Sequence, residues 1–184
     1  GLKLYKQYNC HALIAFGGGS SMDCAKGVGA RVARPNLKVR QMRGLLKILK
    51  PIPLLIAIPT TAGTGSETTL AAVISDRKTH EKYSITDLNL VPRYAVLDPL
   101  LTENLPQHIT STTGLDALTH AVEAYIGRSN SPRTRKDARE AVLLIFKYLQ
   151  RAYDNGHDLE ARAQMLKASF LAGAAFTRAY VGYV

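Results

Sequence analysis

The chain has 184 residues, with 24 Lys and Arg against 14 Asp and Glu, a formal charge of +10. Its 46% hydrophobic and 21% charged residues exclude a disordered chain, 14 glycines exclude a collagen-like one, and two cysteines exclude a disulfide scaffold and a four-cysteine zinc site. The longest nearly unbroken apolar stretch, residues 51–59, is nine residues long against about 20 for a membrane helix, so no membrane partner is expected.

In chain order, residues 11–16 read as a buried strand that runs into three glycines. A helix is expected from Ser20 to about Ala33, with Ser20 and Asp23 spaced like a capping box. A second, basic helix is expected over 40–50, with Leu45, Leu46 and Leu49 on its buried side. Residues 53–58 read as the next buried strand, followed by a loop of small residues. Short strands follow at 71–75, 82–86 and 94–97, all rich in branched side chains. After Asp98-Pro99 the pattern turns helical. One helix starts with Pro106 and reaches Ile126. Another spans 133–153, with Ala138, Val142, Ile145, Phe146 and Leu149 on one face. A last helix begins near Asp158 and carries Leu159, Ala163, Leu166 and Phe170. The expected layout is α/β over 1–100 and all-helical over 101–184.

Between Asp23 and Glu67 there is no acidic residue, while Lys26, Arg31, Arg34, Lys38, Arg40, Arg43, Lys47 and Lys50 fall there. A solvated basic face is the expected meaning. No aromatic residue interleaves with these charges, so no nucleic-acid partner is expected.

Three motifs carry chemistry. Gly17-Gly18-Gly19-Ser20 lies between a strand and a helix, where bare backbone and unpaired amides suit a phosphate. It is neither the dinucleotide fingerprint, which needs a glycine where Met22 stands, nor a P-loop. Thr60-Thr61-Ala62-Gly63-Thr64-Gly65-Ser66 places four hydroxyls and two glycines after a buried strand, a composition suited to phosphate and ribose oxygens. A turn without ligand and an ordinary polar loop explain the same residues, and both readings stand at this point. Asp116 and His120 are four apart, one turn along one helix face, so a carboxylate and an imidazole can reach one metal ion. A structural Asp–His hydrogen bond uses the same spacing, and two ligands alone do not close a metal site. The other histidines, His11, His80, His108 and His157, show no ligand pattern.

Taken together, Gly17-Gly18-Gly19-Ser20-Ser21-Met22-Asp23, Pro59-Thr60-Thr61-Ala62-Gly63-Thr64-Gly65-Ser66-Glu67, Asp98-Pro99 and Gly114-Leu115-Asp116-Ala117-Leu118-Thr119-His120-Ala121-Val122-Glu123-Ala124-Tyr125 resemble the iron-containing (group III) alcohol dehydrogenase family. The resemblance covers essentially the whole chain and the middle half of a typical member. It implies a Rossmann-like dinucleotide-binding part, then the start of a helical metal-binding domain, the dehydroquinate synthase-like architecture. It implies hydride transfer between a small alcohol and an aldehyde or ketone, with NAD or NADP and Fe2+. It also implies a cytoplasmic enzyme that is a homo-oligomer in its full-length form.

By resemblance, Gly18, Gly19, Ser20 and Asp23 contact the pyrophosphate and nicotinamide side of the cofactor. Thr60, Thr61 and Thr64 line its adenosine and phosphate region, and Val73 and Lys82 flank it. Asp116 and His120 are the first two metal ligands. Two further metal-binding histidines come later in the family, the first just after a segment like Gly182-Tyr183-Val184. The strand bearing the acidic selector between NAD and NADP precedes Gly1. The segment Phe176-Thr177-Arg178-Ala179 departs from the Asn-bearing version usual there. The start at Gly1 and the apolar end at Val184 lead to the expectation of a piece of a longer protein, inactive alone. Two alternatives remain: the glycerol dehydrogenase and dehydroquinate synthase branch, which uses Zn2+, and a non-catalytic nucleotide-binding fragment.

Overall fold

The computed structural model describes residues 1–76 and 79–179; the 180–184 segment singled out above lies outside them. Helix α1 (Leu2–Gln7) leads into strand β1 (Ala12–Gly17) and helix α2 (Gly19–Ala33). Strands β2 (Gly44–Leu45), β3 (Leu54–Pro59), β4 (Ala71–Ser75), β5 (Lys82–Thr86) and β6 (Tyr94–Ala95) follow. Three long helices complete the fold: α3 (Gln107–Ile126), α4 (Pro132–Asp154) and α5 (Leu159–Ala179). The layout is α/β and then all-α. None of the described helices is long and apolar enough to cross a membrane.

One sheet is parallel, in the order β1-β3-β6. Register pairs Phe16 with Ile58 and Gly17 with Pro59, so the glycine turn and the threonine loop leave adjacent strands at the same carboxyl edge. Leu13, Ala15, Leu55 and Ala57 face α2 and pack with Met22 and Ala25. The other face, with Ile14, Phe16, Leu54, Tyr94 and Val96, is exposed. In the second sheet, ordered β2-β5-β4, strands β4 and β5 run antiparallel. Ala72, Tyr83 and Ile85 bury one face of it against Ala30, Met42, Ile48 and Leu90. Helix α2 thus packs between two sheets.

Helices α3, α4 and α5 pack on one another through small residues. Ala117 and Ala121 of α3 meet Ala141 and Ile145 of α4 and Ala168 and Ala172 of α5. Ser131 caps α4, its Oγ accepting from the Thr134 amide at 3.2 Å, with Pro132 in the first turn. The buried seam of α4 runs through Thr134, Ala138, Ala141, Ile145, Tyr148 and Ala152. That seam corrects one expectation: Phe146 is 75% exposed.

The basic helix expected over 40–50 does not form. A short 3-10 turn, Val39–Met42, is followed by the two-residue β2, and Leu46 and Leu49 take left-handed φ values of 50° and 49°. The cause is a distant acceptor. The amides of Ile48 and Leu49 both donate to the Asp87 carboxylate at 3.0 Å, so they are not available to a helix. Met42 and Ile48 are buried there, and Leu45, Leu46 and Leu49 are exposed. The capping box expected at α2 is also absent. Gly18 is the cap residue, no side chain among the described residues caps the helix, and Asp23 bonds elsewhere.

The glycines of α2 and α5 give a paired test. A Cβ on Gly27 would have Ile74 at 3.7 Å as its neighbour, an ordinary contact. Gly27→Ala is expected to stabilise the chain by about 0.5–1 kcal/mol through helix propensity. A Cβ on Gly173 would lie 2.7 Å from the Gly65 carbonyl oxygen and 2.8 Å from its Cα, both backbone atoms. Gly173→Ala is expected to destabilise it by about 1–3 kcal/mol. Urea midpoints measured side by side check both.

Candidate functional site

Glycine 17 has φ +139°, and a Cβ there would lie 2.5 Å from Ser21 Oγ, so only glycine fits the end of β1. The turn then starts α2 without a side-chain cap. Helix geometry leaves the Gly19 and Ser20 amides without an intrahelical acceptor. Ser20 is exposed there.

The threonine loop lies against this turn. The Thr60 amide donates to the Gly17 carbonyl at 3.1 Å. A Cβ on Gly18 would meet Thr61 Oγ1 at 3.3 Å, and one on Gly19 would meet Thr64 Cγ2 at 2.8 Å. The glycine turn with Gly18 and Gly19 and the loop with Thr60, Thr61 and Thr64, some forty residues apart in sequence, therefore meet at the carboxyl edge of the parallel sheet.

Asp23 has its two carboxylate oxygens engaged by the protein. Oδ1 accepts from Ser66 Oγ at 2.8 Å and Oδ2 accepts from the Val73 amide at 3.0 Å. Val73 pairs with Ser84 across the β4–β5 ladder, and Lys82 pairs with Ser75. By strand alternation the Val73 and Lys82 side chains share one face, and both are exposed. The Asp23–Val73 bond ties that face to the first turns of α2.

Lys26 corrects the reading of a solvated basic stretch, because it is fully buried. Its ammonium donates to Ser66 Oγ at 3.0 Å, to the Thr69 carbonyl at 2.9 Å, to Thr69 Oγ1 at 3.0 Å and to the Ala71 carbonyl at 2.8 Å. Burial pushes it down to about 8, against the charges of Asp23 and Glu67. Glu67 is buried beside it, and burial pushes its carboxyl up to about 7, against its own backbone amide and the Lys26 charge. Its Oε1 has no hydrogen-bond partner among the described residues.

The loop also contacts the helical part. A Cβ on Gly63 would lie 2.7 Å from Thr113 Cβ and its carbonyl oxygen on α3, and Gly65 (φ +58°) lies directly against Gly173 of α5. Thr113, Asp116 and His120 are spaced three and four residues apart, along one side of α3. His120 Nε2 lies 3.7 Å from Asp116 Oδ1, too far for a direct hydrogen bond. The Phe176 ring of α5 sits 4.9 Å from the imidazole, centroid to centroid. The other ring nitrogen, Nδ1, is buried and has no partner among the described residues.

A carboxylate oxygen and an imidazole nitrogen suit a divalent first-row metal, and the two face each other across a gap rather than bonding directly. The pair therefore fits a metal as two of its donors. No group of three or more His, Cys, Asp or Glu side chains among the described residues could hold one. Arg178 pairs with Asp137 Oδ2 of α4 at 2.9 Å. With Arg93, Arg133, Thr177 and Glu67 it lines a separate cavity of about 400 Å3.

Sequence reasoning missed Lys26 and Thr69 as parts of this region, and the link from Ser66 to Asp23 and Lys26. The signal was Met22, Lys26 and Ala30, spaced four apart along one stripe of α2; both apolar neighbours of the lysine are buried.

A family model described as iron-containing alcohol dehydrogenase matches residues 1–99, and one described as Fe-containing alcohol dehydrogenase family, C-terminal, matches residues 110–184. The chain is 46% identical over 184 residues to alcohol dehydrogenase 4 of Schizosaccharomyces pombe, covering 100% of this chain and 43% of that protein. It is 43% identical to the NAD-dependent methanol dehydrogenase of Bacillus methanolicus, covering 100% of this chain and 48% of that protein. Among solved structures, an alcohol dehydrogenase from Oenococcus oeni superposes with a TM-score of 0.94 at 38% identity, covering 99% of this chain and 47% of that one. A sulfoacetaldehyde reductase from Bifidobacterium kashiwanohense, in complex with NAD+, gives 0.88 at 35% identity, covering 98% and 48%. The chain spans about half the length of the curated relatives it matches. Matched by models of both parts of the family, and so similar to its members along its whole length, the chain belongs to the iron-containing alcohol dehydrogenases.

Proposed function

We propose that this chain is the central portion of a metal-dependent, NAD(P)-linked alcohol dehydrogenase that moves hydride between a small alcohol and the nicotinamide ring. The observation that carries this reading is the meeting of glycine turn and threonine loop at one sheet edge, read as the wall of a dinucleotide crevice, with the Asp116–His120 pair on the adjoining helix. In this reading 1–100 is the dinucleotide part and 101–184 the beginning of the metal and substrate part. The relatives named for alcohol and methanol dehydrogenation support the reaction class, and the NAD+ complex of a structural neighbour supports the cofactor class.

Each group of residues then has a physical task. Gly18 and Gly19 let the cofactor's phosphates approach bare backbone, and the start of α2 supplies amide donors with a favourable local dipole. Ser20, Thr60, Thr61 and Thr64 offer hydroxyls to phosphate and ribose oxygens. Val73 gives the ring system an apolar edge, and Lys82, on the same strand face, offers a cation beside it. Asp23 holds the β4 edge to α2 and keeps its remaining lone pairs for the cofactor. Asp116 and His120 hold Fe2+ as two of its ligands, with Zn2+ accepted by the same donor types. When bound, the ion lowers the pKa of the substrate hydroxyl, and the nicotinamide accepts the hydride. The remaining donors come from parts of the parent enzyme beyond this chain.

Two outcomes test the reading. In the longer parent enzyme, Asp116→Ala and His120→Ala are each expected to lower bound metal at least tenfold by elemental analysis, while NADH binding is kept. Unchanged metal content in both would overturn the ligand assignment. The isolated 184-residue chain is expected to show no alcohol-dependent NADH formation, with or without added Fe2+ or Zn2+, because it carries only part of the donor set. Sustained turnover by the isolated chain would contradict that.

A further inference from the structure

Lys26 lies outside the crevice and touches none of its open surface, yet it is the residue through which three pieces of the crevice are held in place. A fully buried lysine is uncommon, since an ammonium removed from water needs a complete set of acceptors. Here four oxygens surround it, and all four belong to the segment from Ser66 to Ala71. The lysine itself belongs to α2, two turns after the glycine turn. Its bonds therefore bridge the helix that presents the glycines and the segment that follows the threonines.

Ser66 extends the bridge. It accepts from the ammonium and donates to Asp23 Oδ1, and Asp23 Oδ2 in turn accepts from the Val73 amide. The chain Lys26–Ser66–Asp23–Val73 thus links α2, the threonine loop and β4 through consecutive hydrogen bonds of 2.8–3.0 Å. The crevice tolerates little change in spacing, because Gly18 and Gly19 already stand at contact distance from Thr61 and Thr64. A spacer of this kind sets where phosphate and nicotinamide groups sit without touching them.

We propose that Lys26 is a positioning residue for the dinucleotide: its buried ammonium fixes the distance between the glycine turn and the threonine loop and, through Ser66, the orientation of the Asp23 carboxylate. This rests on the reading of the crevice as the NAD(P) site. Asp116 and His120 lie on α3, and none of the Lys26 hydrogen bonds reaches that helix.

The test uses the longer parent enzyme and NADH as the probe. Lys26→Met keeps the aliphatic stem and removes the donors. NADH Kd and KM for NAD+ are expected to rise at least tenfold, while KM for the alcohol and bound metal stay within twofold of wild type. A role in stability alone would lower the melting temperature and leave that split between the two KM values unmoved. Ser66→Ala and Thr69→Val each remove one acceptor and guard against a Lys26 variant that does not fold. Ser66→Ala is expected to weaken NADH binding in the same direction, by about threefold or more, and Thr69→Val by less. A folded Lys26→Met with wild-type NADH Kd overturns the proposal, and so does an unfolded one accompanied by Ser66→Ala and Thr69→Val variants that bind as wild type. If the wild-type parent itself binds no NADH, it is the reading of the crevice that falls. Binding by wild type with no change in the variants sinks only the role of Lys26.

Discussion

The arrangement depends on the close approach of bare backbone on both sides of the threonine loop. On one side Gly18 and Gly19 sit under Thr61 and Thr64; on the other Gly65 lies against Gly173 and Gly63 against Thr113. The loop is a spacer between the parallel sheet and the three long helices, and it works at separations where a single methyl group would have no room. The glycine turn at the sheet edge and the Asp116–His120 helix α3 are consequently both in contact with this one segment.

The buried charges follow from the same constraint. A loop with so many small residues has little side-chain bulk with which to pack, so its position is set by hydrogen bonds. Lysine suits this role because its long stem crosses the core beside Met22 and Ala30 and brings three donors to one point. The four surrounding oxygens offset the desolvation of the ammonium, and the nearby carboxylates of Asp23 and Glu67 balance its charge. Glu67, whose Oε1 has no hydrogen-bond partner among the described residues, is the less satisfied member of the group. Its raised pKa is the expected response to burial with little compensation.

Much of this was legible in the sequence, and the failures have identifiable causes. The strands at 54–59, 71–75 and 82–86 were readable as short runs rich in apolar and branched residues, and only in 82–86 do the large side chains, Tyr83 and Ile85, alternate into the core. The three long helices were readable from their apolar period and, for α3, from Pro106. Residues 40–50 misled because three leucines at helical spacing suggest a buried stripe, whereas Asp87, nearly forty residues away, decides the backbone by taking two amides. Lys26 misled because local sequence places it in a run of cations. Its four acceptors are 40–45 residues away, and no local pattern announces them. The glycine turn, the threonine loop and the Asp116–His120 spacing are visible as local patterns; the long-range hydrogen bonds that hold the pieces together are not.

The Asp116–His120 pair shows why a local motif and a complete site differ. One helical turn brings the two donors to the same side of α3, and no fold is needed for that. What the fold adds is their setting. Phe176 of α5 packs on the imidazole, Asp116 remains partly exposed, and the gap of 3.7 Å between them is wider than a hydrogen bond. His120 Nδ1 is buried and has no hydrogen-bond partner among the described residues, and Nε2 stands short of a direct bond to Asp116. An open pair held against an aromatic ring leaves both donors free on that side of α3, which is what the proposed metal site requires. The helices, through their alanine contacts, and the bare backbone at Gly63 and Gly65 keep that pair on the helix that adjoins the threonine loop.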